Sequence, residues 1–129
     1  NTNSGLGSYG LKEVIEMLRN NIAGMVVISD DINMSRIEKK CKRCSHIEEE
    51  IIEQGKRIAR KTEMKSQGCS ECKAMDFEIN DQDLIDFVAL IASQTGTKVE
   101  VVSGKTEHGI MLGSLGNIAA ILRYNPNRS

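Results

Sequence analysis

The chain has 129 residues, 40% of them hydrophobic and 27% charged, with a formal net charge of -1. That length supports one domain with a core, or one domain carrying a small insert. No apolar run approaches the ~20 residues of a membrane span and no secretory signal is visible, so a cytoplasmic location is expected.

The chain opens on Asn1 and reads as a piece of something longer. Its near-neutrality hides an uneven distribution. Residues 36–73 hold eleven Lys/Arg against seven Asp/Glu, while the remainder holds six against eleven. A locally basic segment in an acidic body suits an approach to RNA or to an acidic protein face. Aromatic side chains are scarce: Tyr9, Phe77, Phe87, Tyr124 and no Trp. That argues against the stacking platforms of single-stranded RNA binders.

In chain order, "GLGSYG" (5–10) reads as a flexible entry. "YGLKEVIEML" (9–18) places Leu11, Val14, Ile15 and Leu18 on one helical face. "GMVVIS" (24–29) is a β-branched run expected as a buried strand, followed by a turn and a short charged strand leading to Cys41. "HIEEEIIEQGKRIARKTEMK" (46–65) predicts a helix, with Glu48, Glu49, Glu50 and Glu53 in its first half and Lys56, Arg57, Arg60 and Lys61 in its second. That polarity matches the helix dipole, although Gly55 costs about 1 kcal/mol. "AMDFEI" (74–79) alternates as a strand, and Asp81 is a candidate cap for an apolar helix over 83–94. A strand over 97–103, a weak helix over 106–116 and a strand over 117–124, stopped by Pro126, complete the chain. With 41–72 set aside, α and β segments alternate, which predicts a layered α/β domain with a mixed sheet.

The cysteines fall in two pairs, Cys41-x2-Cys44 and Cys69-x2-Cys72, separated by 24 residues. A CxxC turn brings two sulfurs to one side of a tight loop, and a second copy closes a tetrahedral zinc sphere. Two disulfides would call for an oxidising compartment, and a redox CxxC would need only one pair. His46 could replace a ligand, but four cysteines make that unnecessary. Lys39, Lys40, Lys42, Arg43 and Lys73 flank the pairs and would offset thiolate charge. Four protein ligands leave no position for water or substrate, so one structural zinc per chain is expected.

No Gly-x-Ser-x-Gly, phosphate-cradling loop or His-Glu-x-x-His is present, and His108 in "TEHGI" is a lone histidine. The chain is not expected to be an enzyme, and no catalytic residue is assigned.

The tail "GTKVEVVSGKTEHGIMLGSLGNIAAILRYNP" (96–126) resembles the ending of the archaeal and eukaryotic class I peptide chain release factors, which terminate translation. Gly96, Val99, Glu100, Val102, Ser103, Thr106, Glu107, Gly109, Leu112 and Gly116 carry the likeness, with Ile118, Ala120, Ile121, Leu122, Arg123 and Tyr124. "SYGLKEVIEML" and "GMVVISDDI" are similar to the opening helix, strand and turn of the same C-terminal third domain. The paired-cysteine insert is similar to the small zinc-bearing subdomain of archaeal members. Two departures stand out: Asn117 replaces the usual second glycine of the ending, and Leu115 replaces a common aromatic. If that glycine adopts positive φ, Asn is the next most tolerant residue.

The resemblance implies an α/β/α sandwich like the kink-turn-binding ribosomal proteins, with a body of 1–40 and 73–129 and a four-cysteine insert of 41–72. The family's Gly-Gly-Gln loop and codon-reading motifs belong to two upstream domains and do not occur here. The implied role is docking of a translational GTPase (a class II release factor or an elongation-factor-like one) and of the ABC-type recycling ATPase, on the ribosome and away from membranes. Tyr9, Gly10, Glu13 and Val14 are the expected GTPase contacts, and Lys39, Lys40, Lys42 and Arg43 the expected rRNA contacts. A Pelota-type ribosome rescue factor shares the fold and a similar ending, but is not expected to carry the cysteines. An independent kink-turn RNA-binding zinc module is the rival from another class.

Overall fold

A computed structural model describes residues 7–123, so Tyr124, Pro126 and the first two residues of the entry segment, Gly5 and Leu6, lie outside the described residues. The chain divides into two compact units, one formed by Asn1–Ile32 with Ile85–Ser129 and the other by Asn33–Leu84.

The first unit is the expected layered α/β domain. Its elements are β1 (Gly7–Tyr9), α1 (Leu11–Arg19), β2 (Ala23–Ser29), α3 (Leu84–Thr95), β6 (Lys98–Val102), α4 (Glu107–Gly113) and β7 (Ile118–Leu122). The sheet runs β1-β7-β2-β6 and is mixed: β2 lies parallel to β6 and antiparallel to β7. β1 is an addition to the expected elements. Three residues rich in Gly and Ser carry no strand signal of their own, and they are extended by pairing Tyr9 with Ala119 and Gly7 with Ile121. Val26, Ile28, Ile118 and Ala120 are fully buried, whereas their alternating neighbours Met25, Val27 and Ala119 are only partly covered. α1 buries Val14, Ile15 and Leu18, the stripe expected from their spacing, and α3 buries Phe87, Val88, Ile91 and Ala92.

Two backbone positions explain parts of the ending. Asn117 has φ 68° beside Gly116 at 89°, so the position that usually carries glycine is a left-handed one that Asn occupies. Gly109 sits where a Cβ would meet the Ser103 carbonyl oxygen at 1.9 Å, so no larger residue fits without moving the backbone. Arg123 ties three segments together. Its backbone N–H donates to Ile22 O at 2.8 Å, Nε donates to Asn21 O at 3.2 Å, and Nη2 donates to the Asn21 side chain and to the Thr95 carbonyl at the end of α3.

The second unit is built from β3 (Met34–Cys41), β4 (Ile47–Glu53), α2 (Arg57–Lys65) and β5 (Phe77–Asp83), with one 3-10 turn at Gln54–Lys56. The strands form an antiparallel sheet in the order β4-β3-β5. Here the expected helix over 46–65 is wrong in its first half. Ile47–Glu53 is a strand registered on β3, with Lys39 opposite Glu48 and Arg36 opposite Ile51. Arg36 pairs with Glu49 on the neighbouring strand and with Glu38 on its own. The acidic run therefore meets a basic strand rather than a helix N-terminus, and only the basic half is helical. α2 is tied to the sheet by Arg60–Glu50 and by Lys61 and Arg57 on Asp81. Asp81 is thus a β5 residue in an ion-pair cluster and not a helix cap. The unit also exceeds the expected 41–72, because β3 and β5, assigned from sequence to the body, supply two of its three strands.

Candidate metal centre

Cys41 ends β3, Cys44 follows in a tight turn, and Cys69 and Cys72 occupy a second turn between α2 and β5. The two turns repeat one backbone pattern. Cys41 N–H donates to His46 O at 2.9 Å and Cys69 N–H to Ala74 O at 2.9 Å. Ser45 N–H returns to Cys41 O at 3.0 Å and Lys73 N–H to Cys69 O at 2.9 Å. Ser45 and Lys73, four residues after the leading cysteines, have φ of 66° and 67°. The leading sulfur of each turn accepts backbone N–H groups from within its own loop: Arg43 at 3.3 Å and Cys44 at 3.4 Å on Cys41, and Glu71 at 3.4 Å on Cys69. Each leading cysteine is buried and each trailing one exposed.

The four sulfurs lie within 4.8 Å of one another. Cys41 Sγ is 3.5 Å from Cys72 Sγ, and Cys44 Sγ is 3.6 Å from Cys69 Sγ. A sulfur–sulfur bond is about 2.05 Å, so these are not disulfides. A tetrahedral zinc–thiolate centre with Zn–S of about 2.3 Å sets its sulfurs about 3.8 Å apart. The donor set and its spacing fit that ion.

The electrostatics favour thiolates at the leading positions. The Cys44 N–H, opposed by burial and helped by Arg43 N–H, brings the Cys41 thiol down to about 6. The Cys72 N–H lowers Cys69 in the same way. Cys44 accepts from His46 N–H, yet burial and the three neighbouring sulfurs push it up to about 12. A cation among them removes that mutual opposition, because metal binding holds all four in the ionised form.

The remaining expected residues divide sharply. Lys39 is 2% exposed: its Nζ donates to Met64 O at 2.9 Å and Gln67 O at 2.6 Å and lies 4.3 Å from the Phe77 ring centre. It closes the carbonyl end of α2 and is not available to RNA. Lys40, Lys42 and Arg43 are exposed, and Arg43 pairs with Asp76 at 3.4 Å. At the start of α1, Tyr9 and Glu13 are exposed and Gly10 is the capping residue with φ 95°, but Val14 is 0% exposed and belongs to the core. His46 contributes its backbone to the first turn, and His108 is exposed beside an apolar cavity of about 390 Å³ lined also by Val27, Met111 and Leu115. The αL residues Ser45 and Lys73 and the anchoring role of Lys39 were absent from the sequence reading. The shared position four after each leading cysteine is the signal that could have revealed the first two.

Among known proteins, the model of eRF1 domain 3 matches residues 1–126. Peptide chain release factor subunit 1 of Methanocaldococcus jannaschii is 31% identical over 121 residues, covering 93% of this chain and 29% of that protein. The same factor from Methanobrevibacter smithii is 35% identical over 122 residues, 94% of this chain and 29% of that protein. The chain thus spans under a third of the length of these relatives. The solved C-terminal domain of the Methanosarcina mazei release factor superposes with a TM-score of 0.77 at 25% identity, covering 96% of this chain and 74% of that one. Two more distant structures share the fold. Saccharomyces cerevisiae Dom34, described as interacting with Hbs1, has a TM-score of 0.53 at 17% identity over 95% of this chain and 23% of that one. An archaeal Pelota, described as a model of ribosome-bound Pelota and ABCE1, has 0.50 at 20% over 96% and 22%. The matched domain is not a catalytic one, in keeping with the absence of a catalytic motif from the sequence. Among the described residues, no helix is long and apolar enough to cross a membrane. With a family model matched over nearly its full length, this chain belongs to the eRF1 domain 3 family, as a C-terminal domain of the archaeal type of peptide chain release factor subunit 1.

Proposed function

We propose that this domain is the docking end of a class I release factor, and that Cys41, Cys44, Cys69 and Cys72 hold one structural zinc ion. The match to eRF1 domain 3 over residues 1–126 is the observation that carries the docking role. Two fold relatives support the choice of partners, because one is described as interacting with Hbs1 and the other as ribosome-bound with ABCE1. A translational GTPase and an ABC-type ATPase are the corresponding partners here. Tyr9 and Glu13 offer an exposed ring and a carboxylate at the start of α1, with Gly10 between them in the chain. Buried Val14 holds that helix against its core rather than meeting the partner.

The metal's part is mechanical. When bound, it supplies four sulfur bonds that join the end of β3 to the loop after α2. Among the described residues, the second unit's fully buried apolar side chains are few: Ile37, Met64 and Leu84 beside Cys41 and Cys69. A core that small gains most from a metal staple. Exposed Lys40, Lys42 and Arg43 then give a weak, salt-screened contact with rRNA.

The test is retention of an archaeal elongation-type GTPase by the immobilised chain, with a Tyr9→Ala/Glu13→Ala double variant beside it. Retention of the GTPase by the parent and its loss in the variant are expected. No retention by the folded parent overturns the docking role. Tight RNA binding by the chain alone at moderate salt favours the independent RNA-binding module instead. The Pelota alternative is supported by shared fold, whereas the Methanocaldococcus jannaschii and Methanobrevibacter smithii relatives matched by sequence are release factors.

A further inference from the structure

The two cysteine turns are equivalent in backbone but their sulfurs pair crosswise. Each exposed trailing sulfur lies against the buried leading sulfur of the other turn: Cys44 is 3.6 Å from Cys69 and Cys72 is 3.5 Å from Cys41. Cys41 and Cys69 are 2% and 1% exposed and accept backbone N–H groups, so an electrophile from solvent reaches Cys44 and Cys72 first. Accessible thiolates beside a second thiolate are the arrangement in which a sulfenic acid is captured as a disulfide.

We infer that Cys44 and Cys72 are a hydroperoxide-reactive pair whose oxidation exchanges the bound metal for two disulfides across the turns, Cys44–Cys69 and Cys72–Cys41. The inference rests on the zinc reading above. In the first step the Cys44 sulfur, which would be held ionised while the metal is bound, attacks one peroxide oxygen. The O–O bond breaks, hydroxide leaves, and Cys44 becomes a sulfenic acid. The Cys69 thiolate then attacks the Cys44 sulfur, the S–O bond breaks, a second hydroxide leaves and the S–S bond forms. Two electrons pass from the sulfur pair to one peroxide, and both hydroxides take protons from water. Cys72 and Cys41 repeat the sequence with a second peroxide. No thiolate then remains for the ion, which is released.

The geometry gives this oxidation a specific structural outcome. Disulfides within each CxxC would cut the link between the end of β3 and the loop before β5. Crosswise disulfides keep that link, so the three-stranded sheet and α2 retain their closure without the metal. Reduction by a dithiol followed by zinc restores the starting state.

The experiment uses the full chain loaded with zinc, its metal content measured first, then titrated with hydrogen peroxide. A chromophoric chelator reads released zinc, and non-reducing mass mapping reads the linkages. Trypsin cleaves after Arg43 and glutamyl endopeptidase after Glu71, so each cysteine of each pair falls on its own peptide. The expected result is one zinc released for every two peroxides consumed, with Cys44–Cys69 and Cys41–Cys72 as the dominant linked peptides. Alkylation of the zinc-loaded chain by iodoacetamide is expected at the exposed Cys44 and Cys72 before the buried Cys41 and Cys69. Pairing within Cys41/Cys44 or Cys69/Cys72, pairing of Cys41 with Cys69, or sulfinic acids without disulfides overturns this inference and leaves the zinc reading standing. A folded chain that takes up no zinc overturns both.

Discussion

Lys39 shows how one side chain can be misjudged from its neighbours in sequence. It belongs to the run "KKCKR", yet it alternates inward on β3 with Ser35, Ile37 and Cys41, and its ammonium closes two carbonyls at the end of α2. A charged donor buried on two acceptors is costly to remove, because the acceptors are left desolvated. We expect Lys39→Met to destabilise the second unit by about 1.5–3 kcal/mol, the range for hydrogen bonds to a charged group, read by urea denaturation of the zinc-loaded chain. Lys40→Met, on the exposed alternate face, is expected to change stability by less than about 0.5 kcal/mol. Equal effects at the two positions would refute the structural role of Lys39. Four thiols with CxxC spacing were legible because that chemistry is local. The inward turn of Lys39 was not, since it depends on strand alternation and on a helix 25 residues away.

At the scale of the element, the Glu-rich stretch is the instructive failure. Glu48–Glu53 has helix-forming residues and a dipole-matched sequence, but Ile47, Ile51 and Ile52 fit a strand and β3 supplies oppositely charged neighbours. Cross-strand pairing outweighs helix propensities of a few tenths of a kcal/mol per residue. No local window contains the partner strand. The same reasoning covers β1, which is extended only because β7 lies beside it. Helices α1 and α3 were legible because their apolar spacing is internal to them. The charge pairs give the second unit an acid-sensitive component. The Arg60 hydrogen bond holds the Glu50 carboxyl below its usual 4.5, and the Lys61 hydrogen bond holds Asp81 below 3.8. Carboxyls depressed on folding stabilise above their unfolded values, and that contribution disappears as pH falls through the folded ones. We therefore expect Glu50→Gln to cost about 0.5–1 kcal/mol at pH 7 and progressively less below about pH 4.5. Denaturant midpoints of parent and variant across pH 3–7 measure the difference. A gap that stays constant with pH would rule out the ion pair as its source.

For the whole molecule, the division at Ile32/Asn33 and Leu84/Ile85 predicts that removal of a metal from the zinc-loaded chain is a local event. A chelator, or Cys69→Ser, is expected to abolish hydrogen-exchange protection over Asn33–Leu84 while β2, β6 and β7 keep theirs, because the larger unit has a core of its own. Loss of protection throughout the chain would show that the two units do not fold independently. The layered body was legible in outline from alternating α and β segments. The boundary was not, because β3 and β5 look like ordinary sheet strands until their shared partner is known.

The register of β3 with β5 sets Ser35 opposite Asp83, so the second unit begins and ends on adjacent strands. Facing residues of an antiparallel pair stand only about 5 Å apart. A module whose ends meet can be excised with little disturbance to the chain around it. Joining Ile32 to Ile85 through a few glycines should yield a soluble mini-domain with native-like circular dichroism and cooperative melting. The excised segment, flanked by inert tails and given zinc, should fold as a portable cassette. A shortened chain that aggregates or melts without a transition would show that evolution has made the host depend on its guest.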